Sequence, residues 1–372
     1  MQSSQIEPRV SETSPLENNN LEKIYAFDYL RAICCIIVVV AHTNVISLLP
    51  QNTDLHNMIL YNGIALAVPI FFQTSLILFF LNREKKQNYF TNKRIPKLLQ
   101  LYFFWGLFSH VFYLIYDNQA YLSYLRQLNL LNFLVFLLSG GYRNPFYFLS
   151  SLLILTSLSE LLAIGTNKLK LSHKFIAYTG LILSCGIVLF LPLSALLFGQ
   201  KFLLLTQAFD PLSFIPYVFS SFLISQYLSN NQEQKDGISF YTTLLILLTL
   251  YIACNLWEWK YISHTLPWDS GTINSVPVYS RISLVFGAWL IILVSFKIKS
   301  EANSIFKLLS DLSLGIYCLH TFIGNILIYL FFDKIIAHGN SYTTLANFLG
   351  ILFLSLLLTK LFKQIPILQD FI

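Results

Sequence analysis

Charge is scarce in this sequence. Only 11% of its 372 residues are Asp, Glu, Lys or Arg, against about 25% in a soluble domain. That shortage excludes an ordinary water-soluble fold. Metal-binding and disulfide patterns are missing as well. The five cysteines, Cys34, Cys35, Cys185, Cys254 and Cys318, lie scattered in apolar runs with no metal spacing. Their odd number argues against a disulfide framework, and they read as small buried apolar side chains. Residues 1–20 have no short apolar core and no small-residue cleavage site, so they do not read as a signal peptide. No internal repeat is evident, which counts against a transporter assembled from inverted repeats.

Apolar residues are abundant: 55% of the chain is hydrophobic and 16% is aromatic. The expected fold is all-α, a polytopic integral membrane protein of ten transmembrane helices. The spans run roughly 24–48, 59–82, 98–117, 145–165, 175–197, 212–230, 239–257, 279–298, 308–332 and 343–362. Residues 1–23 read as a disordered cytoplasmic tail, 24–362 as one membrane domain, and 363–372 as a short cytoplasmic tail. The stretch from Tyr121 to Leu138 is apolar but broken by Arg126, Gln127, Asn129 and Asn132. It reads as a helix lying at the interface; the alternative is an eleventh span, which would reverse everything after it.

The distribution of basic residues tests this topology. With both termini cytoplasmic, seventeen of the 24 Lys and Arg residues fall in inner segments and five in outer ones. That is the positive-inside pattern. It accounts for the net charge of +6 without nucleic acid as a partner.

Three groups of polar residues lie where polar residues are costly. Asp28, Arg31 and His42 share the first span. Eleven residues at 100° each return Arg31 and His42 to within about 20° of one another, separated by about 16 Å of helix rise. Asp28 and Arg31 form an i, i+3 pair that either snorkels to the inner surface or belongs to a site. His42 either bonds a neighbouring helix or acts as a general base, since neutral imidazole titrates near working pH. The second group is the inner loop from Arg83 to Lys97, with six basic residues. It is either ordinary positive-inside charge or a clamp for a phosphorylated cytosolic ligand. Arg94 and Lys97 flank Pro96, which suits a first helical turn, and such a turn favours phosphate. The third group is Ser313 to His320 in the ninth span, where Tyr317 and His320 share a face. They either bond between helices or line one cavity with His42. Arg281 and Arg143, at the outer ends of spans, read as snorkelling side chains, the alternative being that either meets an anionic acceptor. The outer aromatic cluster around Trp257, Trp259, Tyr261 and Trp268, with Glu258, His264 and Asp269 beside it, reads as an interfacial belt or a sugar platform.

Together these residues resemble the membrane acyltransferase family 3, which includes bacterial O-acetyltransferases of surface polysaccharides. The likeness covers about residues 24–362. It begins with Asp28, Arg31 and, ten residues on, His42. It continues through Phe71-Phe72-Gln-Thr-Ser75, Phe90-Thr-Asn-Lys93-Arg94-Ile-Pro96-Lys97 and Ser313 to Tyr317 and His320. Three departures stand out: Leu76 follows the serine where the family has glycine, Lys97 replaces the loop's second arginine, and Tyr147-Phe148-Leu149 stands for a Trp-Phe-Leu element.

The resemblance implies an acyl-CoA-dependent O-acyltransferase of the inner (plasma) membrane. The donor would be acetyl-CoA, used as a substrate, with no permanently bound cofactor and no metal. The acceptor would be a carbohydrate or glycolipid hydroxyl, and polysaccharide-assembly proteins are conceivable partners. Lys93, Arg94, Lys97 and Ser75 would hold the donor. His42 would be the base, Arg31 and Asp28 would set the electrostatics, and Tyr317 or His320 would donate to the oxyanion. An extended pantetheine arm of roughly 15–20 Å compares with the Arg31–His42 rise. The rival readings are a transporter of a lipid-linked sugar or anionic solute, with Arg31, His42 and His320 lining its path, and a non-catalytic assembly scaffold.

Overall fold

The computed structural model describes residues 24–43, 45–48, 54–142, 146–168, 172–198, 209–230, 238–261, 278–328, 330 and 341–372. Thirteen α-helices account for most of them, and no strand occurs among the described residues. In chain order they are α1 (Ala26–Ala41), α2 (Asp54–Ala65), α3 (Ala67–Lys85), α4 (Ile95–Tyr116), α5 (Asn118–Arg126), α6 (Leu130–Ser139) and α7 (Tyr147–Lys168). Then come α8 (His173–Phe198), α9 (Pro216–Asn230), α10 (Ile238–Tyr261), α11 (Ile282–Ser295), α12 (Ser304–Leu327) and α13 (Ser341–Gln364).

Every one of the ten expected spans contains a helix, and the chain is a multi-pass membrane protein. Six helical stretches are long and apolar enough to cross a bilayer unaided: Leu60–Lys85, Phe90–Tyr116, Tyr147–Thr166, His173–Ser194, Ile238–Lys260 and Ser341–Gln364. The others have a different place. Helices α1, α9 and α11 have 16, 15 and 14 residues, about 21–24 Å of rise against a hydrocarbon core of about 30 Å. They pack with α3 and α12 in the middle of the bundle, α1 along α12 and α3, α9 along α3, and α11 against α3. Helices α4, α10 and α13 instead turn rows of bare apolar side chains outward, among them Phe103, Leu107, Leu245 and Phe353. A helix surrounded by protein need not match the bilayer in length or polarity, because its neighbours satisfy its ends. The short segments therefore sit at the centre beside the long α3 and α12, and α4, α8, α10 and α13 form the rim.

Local chemistry sets several joints. Helices α2 and α3 run almost continuously, with the break at Leu66. Pro69 lies in the first turn of α3, where its missing N–H and its ring disfavour an unbroken helix. The interfacial stretch folds as two helices, α5 and α6. Asn129 caps α6 by accepting from Asn132 N at 2.8 Å. Gly140 ends α6 with φ +76°, and a Cβ there would stand 2.4 Å from the Phe146 backbone. Only glycine allows that close approach between α6 and the start of α7.

The basic ends of the helices are also tied together. Arg83 on α3 makes a two-pronged bond to Glu160 on α7, Nε–Oε2 2.6 Å and Nη2–Oε1 3.0 Å. Residues 365–372 leave α13, and the turn Gln369–Phe371 packs against α4.

Candidate active site

The first helix carries its polar residues on the face the spacing predicts. Ile33, exposed on α1, is nine residues before His42, about 180° away around the helix. His42 therefore points into the bundle, yet it keeps an exposed surface. Arg31 shares that inward face and is 36% exposed, while Cys35 and Val38 between them are buried. Arg31 and His42 thus keep accessible surface at two levels of that face, with buried residues between them.

Helix α12 runs parallel to α1 and meets it at three levels. Near the start of both helices, Asp28 is buried and pairs with Arg31 Nη2 at 2.9 Å. Ser310 Oγ donates to the same Asp28 Oδ1 at 3.1 Å, and Arg31 Nε donates to the Phe27 carbonyl at 3.2 Å. One level further, Cys35 Sγ lies 3.9 Å from the Ser313 carbonyl. At the far level, the His42 and His320 rings stand 4.9 Å apart between centroids.

His320 is 1% exposed. Its Nδ1 lies 2.6 Å from the Tyr317 carbonyl and 3.2 Å from the Ile316 carbonyl. Carbonyl oxygens only accept, so Nδ1 carries the proton and Nε2 carries the lone pair. That Nε2 is buried and has no partner. Each such buried acceptor costs about 1–3 kcal/mol.

A chain of rings links this pair to the other sequence signatures. Tyr317 stands 5.9 Å from His320 and 5.3 Å from Phe148. Phe148 stands 4.6 Å from Phe72 and 6.2 Å from Phe71 on α3. Ser75 is one helical turn beyond, and Arg94 Nη2 donates to Ser75 Oγ at 2.6 Å. Arg94 reaches inward because Phe90–Arg94 form a π-helical turn, closed by Ile95 N–H to the Phe90 carbonyl. The wider turn shifts the register and aims the guanidinium at α3. Its Nε remains buried without a partner.

Lys93 and Lys97 do not follow Arg94 inward; both are exposed. Lys97 Nζ donates to the Asp370 carbonyl. The predicted clamp is therefore one inward arginine with two surface lysines near it.

A second polar cluster was not anticipated. Arg281, expected to snorkel, is 1% exposed. Its Nη1 donates to Asn62 Oδ1 on α2, and Asn62 Nδ2 donates to Asn255 Oδ1 on α10. Glu258, expected in an outer loop, ends α10 and is buried. It accepts from Ser283 N at 2.9 Å and from Ser283 Oγ at 2.5 Å. Glu258 thus caps the first turn of α11 from another helix. The available signal was the length of the run 282–295, too short to reach a surface at both ends.

Nearby, Asp210 caps the turn Pro211–Phe214 through Leu212 N at 3.0 Å. Burial pushes its carboxyl up to about 6, and the Leu212 N–H bond partly offsets this. Arg143, His264, Trp268 and Asp269 lie outside the described residues. His110 on α4 meets Tyr121 Oη at 2.7 Å through Nδ1. Among the described residues no group of His, Cys, Asp and Glu is arranged to hold a metal ion.

A family model described as an acyltransferase domain, of acyltransferase family 3, matches residues 24–362. No curated protein and no solved structure matches the chain.

Proposed function

The chain belongs to this membrane acyltransferase family, and on that premise we propose that it moves an acyl group, acetyl by default, from cytosolic acyl-CoA to a carbohydrate hydroxyl at the outer face of the plasma membrane. The observation that carries the reading is the His42–His320 ring pair, 4.9 Å apart, with one imidazole accessible and the other buried. The excess of basic residues at the Arg83–Lys97 end supports placing that end in the cytosol. Arg94 and its unoccupied Nε then lie on the donor's side, with Lys93 and Lys97 as surface charge for the nucleotide phosphates.

In this reading His42 accepts the proton of the acceptor hydroxyl as its oxygen attacks the thioester carbonyl. The tetrahedral intermediate collapses with cleavage of the C–S bond, and His42 passes its proton to the leaving sulfur, which gives the free thiol and restores the neutral imidazole. His320 stands beside that imidazolium, with 4.9 Å between ring centroids. His320 keeps its own N–H on backbone carbonyls, so the oxyanion donor of the pair is Tyr317. Arg31, held by Asp28, fixes the electrostatics nearer the cytosol.

The test uses purified protein, acetyl-CoA and a glycan acceptor, with free thiol as the readout. Replacing His42 with alanine is expected to lower turnover by about 10²–10⁴-fold while leaving expression and melting temperature unchanged. Normal thiol release by a well-folded His42→Ala protein overturns the assignment. A wild-type protein that never consumes the thioester would return the transporter reading to first place.

A further inference from the structure

Arg281 is held in place but not fully paired. Its Nη1 donates to Asn62 Oδ1 and its Nη2 to the Val278 carbonyl at 3.3 Å, while Nε is buried without a partner. Tyr217 on α9 is fully buried, and its Oη also lacks a partner. Tyr217 and Tyr279 both lie within electrostatic range of Arg281. Tyr147 Oη donates to Tyr279 Oη at 3.0 Å, which leaves the Tyr279 proton for an acceptor outside the pair. Each buried polar group without a partner costs stability. A ligand rich in hydrogen-bonding oxygens would pair both Arg281 Nε and Tyr217 Oη.

The cluster adjoins the paired histidines on two sides. Asn62, which holds Arg281, follows Tyr61 on α2. Tyr61 and Ile64 pack with Val40 and Ala41, the last residues of α1 before His42. On the other side, the Tyr317 ring stands 5.9 Å from His320 and lies within electrostatic range of Tyr147 and Tyr279. The cluster is also remote from the basic loop. Asn62 precedes α3, which runs from there to Lys85 at the loop's edge.

Charge narrows the ligand. Arg281 and Glu258 are both buried and interact with each other. Their charges balance, so a carboxylate or phosphate brought here would be a buried charge with no counter-ion of its own. Hydroxyl groups carry no such cost. They can accept from Arg281 Nε and Tyr279 Oη and donate to Tyr217 Oη. An uncharged sugar ring offers such hydroxyls side by side.

We propose that Arg281, Tyr217 and the Tyr147–Tyr279 pair form the acceptor subsite, and that it takes an uncharged sugar whose hydroxyls pair Arg281 Nε and Tyr217 Oη. The proposal rests on the acyl-transfer reading above and narrows its acceptor.

The test supplies purified protein with acetyl-CoA carrying a labelled acetyl group. The acceptors are surface glycans extracted from cells that lack the protein, separated by anion exchange into uncharged and acidic fractions. Label is expected in the uncharged fraction. Tyr217→Phe is expected to raise the KM for that fraction about fivefold. Its melting temperature should be equal or higher, because the substitution removes an unpaired buried hydroxyl. Tyr147→Phe, which breaks the hydroxyl pair, is a second variant expected to raise the same KM. An unchanged acceptor KM in both variants overturns the subsite. So does a rise matched by an equal rise in the KM for acetyl-CoA, since an acceptor contact acts on the acceptor alone. Label in the acidic fraction alone overturns the choice of ligand. Label in neither fraction, with the thioester consumed, overturns the carbohydrate reading on which the proposal rests.

Discussion

Arg94 and Lys97 are three residues apart and carry the same charge, yet they do different things. Arg94 turns inward to Ser75 at 2.6 Å, while Lys97 stays at the surface. The Asp28–Arg31–His42 spacing was legible because an unbroken α-helix fixes it. The Arg94–Lys97 divergence was not, because the π-turn at Phe90–Arg94 shifts the register by a residue that no period of 3.6 reveals. The two residues should separate in kinetics. Arg94→Ala is expected to raise the apparent KM for acetyl-CoA about tenfold, removing a charge-assisted contact worth about 1.5–3 kcal/mol. Arg94→Lys is expected to recover little of it, since an ammonium cannot bond Ser75 and a phosphate in one plane. Unchanged donor KM in both variants removes Arg94 from the donor site.

Helix length separates what the pattern gave away from what it concealed. Long apolar runs announced α3, α4, α7, α8, α10 and α13, and each is there. The 14 residues of α11 were legible as apolar, but their burial was not. Sequence places Arg281 at the end of a run, where snorkelling is the ordinary outcome. A short central helix instead ends among its neighbours, and Glu258 reaches across from α10 to satisfy it. Glu258→Gln leaves buried Arg281 without its nearby negative charge and puts an amide NH2 where a carboxylate oxygen accepts from Ser283 Oγ. The expected loss is about 3–5 kcal/mol of stability, read as a lower melting temperature in detergent. The double variant Glu258→Gln with Arg281→Gln should recover part of it, because the uncompensated charge is gone. If the double variant is as unstable as the sum of the single ones, the two residues do not act as a pair.

Across the whole molecule, the ten helix-bearing spans and the surplus of basic residues at the Arg83–Lys97 end lead to one expected arrangement in the membrane. Gln87 follows α3 and Ser300 precedes α12, both exposed at the basic end, whereas Gln119 is exposed on α5. In a cysteine-free background, Gln119→Cys is expected to react with an impermeant maleimide on intact cells. Gln87→Cys and Ser300→Cys should react only after the membrane is permeabilised. The opposite labelling pattern inverts the donor and acceptor sides. The fold back of residues 365–372 was the part of the architecture least visible in the sequence. It depends on Phe104, Trp105 and Gly315, far away in the chain, rather than on any local periodicity.

The shortness of the central helices reaches beyond packing. Helix α1 stops about 6 Å short of the hydrocarbon thickness, and His42 follows its last residue. A resting membrane voltage acts on any charge moved within that thickness. Carrying one elementary charge across the full drop is worth about 2.3 kcal/mol per 100 mV. Any net proton transfer between His42 and one face of the membrane therefore draws on the cell's electrical gradient in proportion to the part of that drop it crosses.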